Sequence, residues 1–226
     1  MVTAAGATPP IGALPPAETL LAVCAHPDDE SFGLGAILSA YDEHGTRVRV
    51  VCFTSGEAST LGTSARPLAE VRREELTKAG SALGVDEVAM FNFPDGHLSD
   101  VPLSELACRA HDSAGDVDLV LVFDEGGITG HPDHCRATEA GILMATWRQL
   151  RVLAWALPIS VADQLNAEFA TSFVGRLDSE LSIVVSVDRS RQRRAIACHA
   201  SQSQENPVLS RRLELLGDSE YLRQLA

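Results

Sequence analysis

The stretch that decides the fold is LLAVCAHPDDESFGLGAILSAYDEHG, residues 20–45. Leu20–Ala25 is an uninterrupted apolar run with the length of a buried strand. Phe32–His44 has the apolar spacing of a helix, and Gly45 is a residue that ends helices. Because the polar residues His26–Glu30 separate the two, the segment predicts a strand, a turn rich in ionisable groups and a helix that packs back on the strand.

The same alternation of strand and helix continues along the chain. Further strands are predicted at Arg47–Phe53, Val88–Phe93, Leu119–Phe123 and Val152–Leu157, with helices at Leu68–Leu83, Leu103–His111 and His131–Thr146. Continuous apolar strands that alternate with amphipathic helices indicate a parallel sheet covered on both faces. We therefore predict an α/β fold, a Rossmann-like three-layer sandwich with a mostly parallel sheet.

The final third of the chain is less regular. Leu181–Val187 predicts a strand, Arg189–His199 a helix, and Val208–Leu225 one or two helices whose apolar surface would suit a homo-oligomer interface. Residues 1–18 contain four prolines and predict a flexible N-terminal tail. Residues 19–226 then form a single domain, a size that is sufficient for a substantial core.

Charge and composition exclude several classes of function. The formal net charge of −13 repels phosphate backbones and anionic lipid, so we expect neither nucleic acid nor a membrane as a partner. The five cysteines are far apart and include no C-x-x-C pair, which argues against a disulfide framework. The first residues lack the basic region of an export signal, which predicts a cytoplasmic location. The excess of arginine over lysine is typical of a bacterial protein from a GC-rich genome.

Two polar motifs follow predicted strands and are the candidates for chemistry. The first is AHPDDE, residues 25–30, and the second is GHPDH, residues 130–134, which ends a glycine-rich loop. Ligands of parallel α/β sheets bind beyond the carboxyl ends of the strands, so we expect the two motifs to face one another. Together they bring three histidines and several carboxylates into one volume.

These residue types favour a catalytic metal. Two imidazoles and one carboxylate would leave a tetrahedral zinc with an open position for water, and the same donors accept Fe²⁺ or Co²⁺. Asp28 is placed to take a proton from that water, and either His131 or His134 is left over to stabilise an oxyanion. Alternatively, Asp28, Asp29 and Glu30 only cap the following helix and complement its dipole.

AHPDDE followed much later by GHPDH resembles the LmbE-like (PIG-L) family of zinc-dependent N-acetylglucosaminyl de-N-acetylases. The resemblance extends from about Leu20 to Gln202 and includes four further motifs: TSGE at 54–57, RREEL at 72–76, PDG at 94–96 and HASQ at 199–202. The family fold is also Rossmann-like, in agreement with the periodicity. Two features depart from the family: Thr129 replaces a tyrosine of some relatives, and Gln192-Arg193-Arg194 replaces a frequent lysine.

The resemblance implies a role for each motif residue. It implies that His26, Asp29 and His134 ligate zinc, that Asp28 is the general base and that His131 stabilises the oxyanion. It also implies that Arg72, or alternatively Arg73, contacts the substrate. Asp95 and Glu57 are the other implied substrate contacts.

The resulting hypothesis is a zinc-dependent hydrolase that removes an N-acyl group, most simply acetyl, from a small molecule containing an amino sugar. A second hypothesis keeps the zinc amidase and changes the substrate to a thiol–sugar conjugate or a glycosylated natural product of secondary metabolism. A third is a metal-dependent phosphoryl-transfer or phosphate-sensing domain, in which Asp28 and Asp29 hold magnesium. That third chemistry gives no role to His26, His131 and His134, because histidine favours zinc-type metals over magnesium. The cluster Arg189–Arg194 is either a solvated helix face or a device that steers an anionic substrate.

Overall fold

The computed structural model describes residues 12–61, 65–204 and 206–225. Its strands are β1 (Thr19–Cys24), β2 (Arg47–Thr54), β3 (Glu87–Phe93), β4 (Leu119–Phe123), β5 (Arg151–Trp155), β6 (Leu157–Pro158), β7 (Gly175–Arg176), β8 (Ile183–Ser186) and β9 (Ser219–Gln224). Its α-helices are α1 (Asp29–Phe32), α2 (Gly35–Glu43), α3 (Leu68–Leu83), α4 (Leu103–Ala114), α5 (Gly127–Gly130), α6 (Pro132–Arg148), α7 (Ile159–Phe169), α8 (Ser190–Cys198), α9 (Ala200–Ser203) and α10 (Pro207–Leu216). Short 3₁₀ turns lie at Leu98–Asp100 and Asp178–Glu180.

Seven strands form one sheet in the order β3-β2-β1-β4-β5-β9-β8. The five strands from β3 to β5 in this order are parallel, and β9 is antiparallel to both β5 and β8. Strands β6 and β7 make a separate parallel pair. Helices cover both faces of the large sheet, so the predicted Rossmann-like three-layer sandwich is confirmed.

The alternation of side chains along β1 explains why both faces need a helical layer. Leu20, Ala22 and Cys24 belong to one buried apolar cluster, whereas Leu21 and Val23 belong to a second cluster on the other face. Each strand residue projects to the face opposite to that of its neighbours, so a continuous apolar run must be covered on both sides. The run that predicted a buried strand thus supplies the two cores of the domain.

The helix predicted over Phe32–His44 is wrong at its start. Helix α1 begins earlier, at Asp29, and ends at Phe32. The helix is interrupted at Gly33, and α2 begins at Gly35. A Cβ atom at Gly33 would lie 2.5 Å from Cε1 of Phe123 and 3.1 Å from Cζ3 of Trp155. The break therefore lets two aromatic rings from neighbouring strands approach the backbone directly.

The helices predicted over Val208–Leu225 are wrong in their second half. Helix α10 ends at Leu216, Gly217 follows with a φ of 55°, and the chain returns as β9 between β5 and β8. Glu220 and Leu222 are buried and alternate with less buried neighbours, which is the period of a strand. Because Leu209, Leu216 and Leu222 are buried within the chain, the apolar surface proposed for an oligomer interface is largely used internally.

Part of the predicted N-terminal tail contacts the domain. The first 11 residues of the predicted tail lie outside the described residues, and residues 12–18 hydrogen-bond to the domain, for example through Gly12 N to Val184 O at 2.7 Å. Likewise Tyr41 donates its hydroxyl to Pro15 O at 2.9 Å. The domain boundary at residue 18 stays a prediction.

Within the described ranges, every helix falls short of the length and hydropathy that a bilayer span requires.

A buried ion pair joins β9 to the neighbouring helical layer. Glu220, which is 1% exposed, accepts hydrogen bonds from Arg189 Nη1 at 2.5 Å and from the Trp155 indole at 2.6 Å. Arg189 is 3% exposed and also donates to Gln192 at 2.7 Å. Removal of the carboxylate alone would leave a buried guanidinium without its counter-charge.

We expect Glu220→Ala to lower the free energy of unfolding by about 3–5 kcal/mol, the usual cost of leaving one partner of a buried ion pair alone. The matched control is Glu214→Ala. It removes an exposed carboxylate of α10 that pairs with Arg211 of the same helix at 3.1 Å. Urea denaturation of both variants checks this. Equal midpoints for the two variants would contradict the assigned role of Glu220.

Candidate active site at the switch point of the sheet

The two motifs meet where the strand order reverses. Strands β1 and β4 are neighbours, and the chain leaves them towards opposite sides of the sheet. The loop after β1 carries His26–Glu30, and the loop after β4 leads to His131–His134. Residues of both loops line a cavity of about 620 Å³, a volume that suits a small-molecule ligand. The expectation that the motifs face one another is confirmed.

Three donor atoms converge at the bottom of this cavity. His26 Nδ1 lies 3.1 Å from His134 Nε2, which lies 3.2 Å from Asp29 Oδ1. His26 Nδ1 and Asp29 Oδ2 are 4.0 Å apart. Ligand atoms at the corners of a tetrahedral zinc site stand about 3.3 Å apart, given zinc–ligand bonds of about 2.0–2.1 Å. The two separations from His134 Nε2 are close to this value, and one ligand atom from each of the three residues lies within 4.8 Å of the others, so the geometry suits one metal ion.

The other atom of each donor group is already engaged. His134 Nδ1 donates to Gly127 O at 3.0 Å, so Nε2 is the nitrogen that is bare when the imidazole is neutral, the form in which histidine binds a metal. Asp29 Oδ2 accepts from the backbone N–H groups of Ala25 and His26, both at 2.9 Å. Such outer hydrogen bonds select the tautomer and orient metal ligands. The residues present fit a divalent metal on their donor chemistry as well as their spacing.

His26 is oriented by two further carboxylates. Its Nε2 faces Asp95 Oδ1 at 3.0 Å and Asp133 Oδ2 at 3.3 Å, which leaves Nδ1 free to face the other two donors. Burial lowers the pKa of His26, but the hydrogen bonds to Asp133 and Asp95 outweigh it and raise that pKa to about 10. The surplus of negative charge around His26 attracts a cation.

Asp29 and His134 influence each other in opposite directions. Burial raises the pKa of Asp29, but the charge of His134 outweighs it and holds that pKa well below its usual range. Burial lowers the pKa of His134, and the Asp29 carboxylate outweighs it and raises that pKa. Asp29 is therefore ionised at neutral pH, as a metal-ligating carboxylate must be.

Asp28 lies beside this cluster and faces Arg72. Its Oδ2 is 3.0 Å from Arg72 Nη2, and Arg72 is itself held by Gly56 O at 2.8 Å and Pro27 O at 2.9 Å. An added Cβ at Gly56 would overlap the guanidinium, so glycine is required there. Burial raises the pKa of Asp28, and the charge of Asp29 adds to the effect although Arg72 opposes it.

His131 stands at the N-terminus of α6 as a neutral imidazole. The backbone N–H of Asp133 donates to His131 Nδ1 at 3.2 Å, so the ring proton is on Nε2. Burial lowers the pKa of His131, and the charges of His26 and His134 lower it further. Its ring centroid is 5.0 Å from that of His26, so the free Nε2–H belongs to the same cavity.

The predicted substrate contacts separate into two groups. Arg72 and Asp95 line the cavity, whereas Arg73 is exposed and donates to Asn92 at 2.9 Å. Of these two arginines, Arg72 is the one that lines the cavity. Glu57 lies behind Asp95 and outside the cavity lining, where it accepts from the Asp95 N–H at 3.0 Å.

Sequence reasoning missed two buried acids beside the cluster. Asp133 is fully buried and accepts from Gly96 N at 2.7 Å and Leu98 N at 3.0 Å in addition to facing His26. Its position inside GHPDH was an available signal. Glu30, for which a helix-cap role was considered, is instead fully buried and lies 2.6 Å from His199 Nε2. That contact joins the first motif to HASQ, 169 residues further on.

The arginine cluster at 189–194 is not one surface. Arg189 is buried against Glu220, and Arg191 donates to Asp42 at 2.7 Å, so only Arg193 and Arg194 remain exposed. The steering hypothesis therefore loses half of its charges. His97, the residue after PDG, is exposed and faces Asp100 at 3.1 Å, outside the cavity lining.

The mostly parallel sheet, with a histidine–carboxylate cluster in a cavity at the ends of β1 and β4, defines an α/β protein with a candidate metal site. The model of the PIG-L family, described as GlcNAc-PI de-N-acetylase, matches residues 21–145, and the chain belongs to this family. The resemblance seen in the sequence is thus confirmed, together with the prediction of an enzyme of the deacetylase class.

A relative that aligns over most of both chains supports the family assignment. The chain is 33% identical over 260 residues to the 1D-myo-inositol 2-acetamido-2-deoxy-alpha-D-glucopyranoside deacetylase of Nakamurella multipartita, with 92% of this chain and 89% of the relative covered. Several other relatives with the same description are longer, and the chain spans about half of their length.

Solved structures show the same fold at low sequence identity. The zinc inhibited form of teicoplanin deacetylase Orf2 superposes with a TM-score of 0.67 at 20% identity, covering 91% of this chain and 98% of that one. The N,N'-diacetylchitobiose deacetylase from Pyrococcus horikoshii gives a TM-score of 0.67 at 22% identity, covering 92% and 84%. Both likenesses cover more than nine tenths of this chain and show the fold.

We expect purified protein to carry about one divalent metal ion per chain and His26→Ala to lose it, because a three-ligand site keeps too few donors after one is removed. Elemental mass spectrometry of the two proteins measures this. His97→Ala removes an exposed histidine outside the site and should retain the metal. Equal metal content in His26→Ala and His97→Ala would overturn the assignment of the site.

We expect Asp133→Asn to weaken metal affinity by about 10–100-fold, the usual effect of losing a group that orients a ligand. The amide nitrogen would face a backbone N–H donor, and the charge that holds His26 would be gone. Competition with a chromogenic chelator measures the affinity. An affinity equal to that of the native protein would show that Asp133 does not act through His26.

Proposed function

We propose that this protein is a zinc-dependent hydrolase that removes the N-acetyl group, or another N-acyl group, from a small molecule containing an amino sugar. The observation that carries the proposal is the position of Asp28 beside a three-ligand cluster and opposite a buried arginine, 3.0 Å away. The family membership and the deacetylase descriptions of the relatives support it. Zinc is the metal that two imidazoles and one carboxylate favour, and Fe²⁺ and Co²⁺ are accepted by the same donors.

We assign the metal to His26, Asp29 and His134. When bound, a divalent ion there supplies a Lewis acid that polarises an amide carbonyl and lowers the pKa of water. The carboxylates of Asp95 and Asp133 would keep the proton of His26 on Nε2, away from the ion. Each of these residues offers one ligand atom, and the three atoms lie within 4.8 Å of one another.

Asp28 is the proposed general base. It takes a proton from the attacking water as the new C–O bond forms, and it returns that proton to the nitrogen as the C–N bond breaks. The products are a carboxylate and a free amine, so no further reactant is needed. Its raised pKa suits a carboxylate that must hold a proton for part of the cycle, and Arg72 keeps it oriented.

His131 is the proposed oxyanion donor. Its Nε2–H is free, because the other ring nitrogen accepts from the backbone. The lowered pKa keeps the imidazole neutral, and its Nε2–H can donate a hydrogen bond to the oxyanion of the tetrahedral intermediate. Arg72 and Asp95 are the proposed contacts for the sugar hydroxyl groups on the side of the cavity that they line.

No specific observation favours either of the alternative hypotheses. A thiol–sugar conjugate or glycosylated natural product remains a narrower choice of substrate within the same chemistry. For phosphoryl transfer, one of the two paired aspartates, Asp28, is engaged by Arg72, and two of the three donors at the metal position are imidazoles, which magnesium disfavours.

We expect the zinc-loaded protein to release a primary amine from an N-acetylglucosamine derivative, and Asp28→Asn to lower kcat by about 10²–10⁴-fold, the usual worth of a general acid–base group. The panel is N-acetylglucosamine, N,N'-diacetylchitobiose and the inositol glycoside, and a fluorogenic amine assay measures the product. Asp28→Asn should keep its metal by elemental mass spectrometry.

The matched control is Asp100→Asn, which changes an exposed aspartate that faces His97 outside the cavity. Its kcat should equal that of the native chain. Full activity in Asp28→Asn would sink the assignment of the base. Absence of amine release from the whole panel by the metal-loaded native protein would overturn the proposed function.

A further inference from the structure

The cavity lining divides into two chemically different parts, one on each side of the donor cluster. His26 contacts the polar part, through Asp95 at 3.0 Å. His134 contacts an aromatic part: its ring centroid is 5.1 Å from that of Phe123, which lies 5.3 Å from that of Trp155. Because the two histidines approach one metal position from different directions, the polar and aromatic parts flank that position.

The chemistry of amide hydrolysis distinguishes these two parts. The scissile carbon is bonded to the nitrogen of the sugar on one side and to the acyl group on the other. Asp28 must reach the nitrogen in order to protonate it, and Asp28 is paired with Arg72 at the polar part. The sugar therefore belongs to the polar part, and the acyl group is directed to the aromatic part.

The aromatic part contains a cation, Arg212 of α10. Its guanidinium carbon lies 5.2 Å from the centroid of the Trp155 ring, and Nη2 donates to Phe32 O at 2.7 Å. The Nε atom is buried and has no hydrogen-bond partner. Both Trp155 and Arg212 line the cavity. Planar stacking on an aromatic ring is a favoured way to hold a guanidinium in place.

The positive charge of Arg212 is not matched by an ion pair. Among the described residues, none has a carboxylate within 4.0 Å of this guanidinium. Glu220, Asp29 and Asp28 are near enough to influence the charge of Arg212. The two oxygens of Glu220 are taken by Arg189 and by the Trp155 indole, and Asp28 and Asp29 are engaged by Arg72 and His134. Burial lowers the pKa of Arg212 to about 10, so it remains charged at neutral pH.

A half-buried, unpaired guanidinium beside a reaction centre has a clear chemical use. Leaving such a charge without a partner is costly, and an incoming oxyanion would offset that cost. An acetyl group is too short and uncharged to use it. A short acyl chain that ends in a carboxylate would pack its methylene groups against Phe123 and Trp155 and place its charge at Arg212.

Resting on the proposed function, we infer that Arg212 is a specificity-determining residue that binds a carboxylate at the far end of the acyl group. The substrate class is then an amino sugar whose nitrogen carries a short dicarboxylic acid as a half-amide. The reaction that supplies such a substrate is the transfer of a dicarboxylic acyl group to an amino-sugar nitrogen.

The experiment compares two glucosamine amides that differ only in charge, N-succinylglucosamine and N-butyrylglucosamine. For the native zinc-loaded protein we expect kcat/KM to favour the succinyl amide by about 10–100-fold, the usual worth of a charge-assisted hydrogen bond in a half-buried site. In Arg212→Gln the ratio of the two kcat/KM values should fall to near one, chiefly through KM. Arg212→Lys keeps the charge but loses the planar stacking, and should keep an intermediate ratio.

Arg211→Gln is the matched control, because Arg211 is the preceding residue of α10 and pairs with Glu168 at 2.9 Å on the exposed side. It should leave both kcat/KM values unchanged. A ratio near one in the native protein, with amine still released from N-acetylglucosamine, would overturn the inference about Arg212 and leave the proposed function standing. No amine from any of the three amides would overturn both.

A second readout is independent of turnover. The Asp28→Asn variant, loaded with zinc, should bind N-succinylglucosamine more tightly than N-butyrylglucosamine in isothermal titration, by the same factor of about 10–100 that a charge-assisted contact provides. Adding Arg212→Gln should remove the difference. Equal affinity for the two amides before Arg212 is changed would contradict the inference. Circular dichroism of each variant identifies loss of folding, in which case Arg212→Lys alone decides the outcome.

Discussion

The carboxylate of Asp29 holds together the two loops on which the site depends. One oxygen accepts the backbone N–H groups of Ala25 and His26, which shapes the turn after β1. The other oxygen lies 3.2 Å from His134, 105 residues away in the first turn of α6, which follows the loop after β4. Because β1 and β4 are hydrogen-bonded neighbours, this contact requires no long reach. The remaining site residues are arranged around these two strand ends.

The charge of the donor cluster then determines what surrounds it. Asp28, Asp29, Asp95 and Asp133 approach two imidazoles in a space with little water, where unpaired carboxylates are costly. The chain supplies backbone donors to Asp133 and Asp95 and one buried guanidinium, Arg72, to Asp28. The balance left over is negative, so a divalent cation completes the site electrostatically.

A second layer depends on residues distant in sequence. Glu30 pairs with His199, and Glu75 accepts from Ser201 N at 2.9 Å, so the first and third helical segments are joined to the chain near residue 200. Strand β9 brings Glu220 to the indole N–H of Trp155, and α10 brings Arg212 over its ring. The C-terminal third of the chain thus supports the aromatic part of the cavity and, through His199, the first motif.

The sequence by itself determined the layers, the two motif loops and their meeting at one edge of the sheet. Continuous apolar strands need cover on both faces, and the carboxyl ends of parallel strands lie together, so period and order were sufficient. Only the tertiary structure decided that Val208–Leu225 ends in a strand, because Ser219–Gln224 is half polar and gains its conformation from pairing with β5 and β8. It also decided that Asp133 orients His26, that Arg72 rather than Arg73 lines the cavity, and that Arg212 faces it. Those contacts join residues distant in sequence, and local propensity carries no information about which charged side chains a fold will bring together.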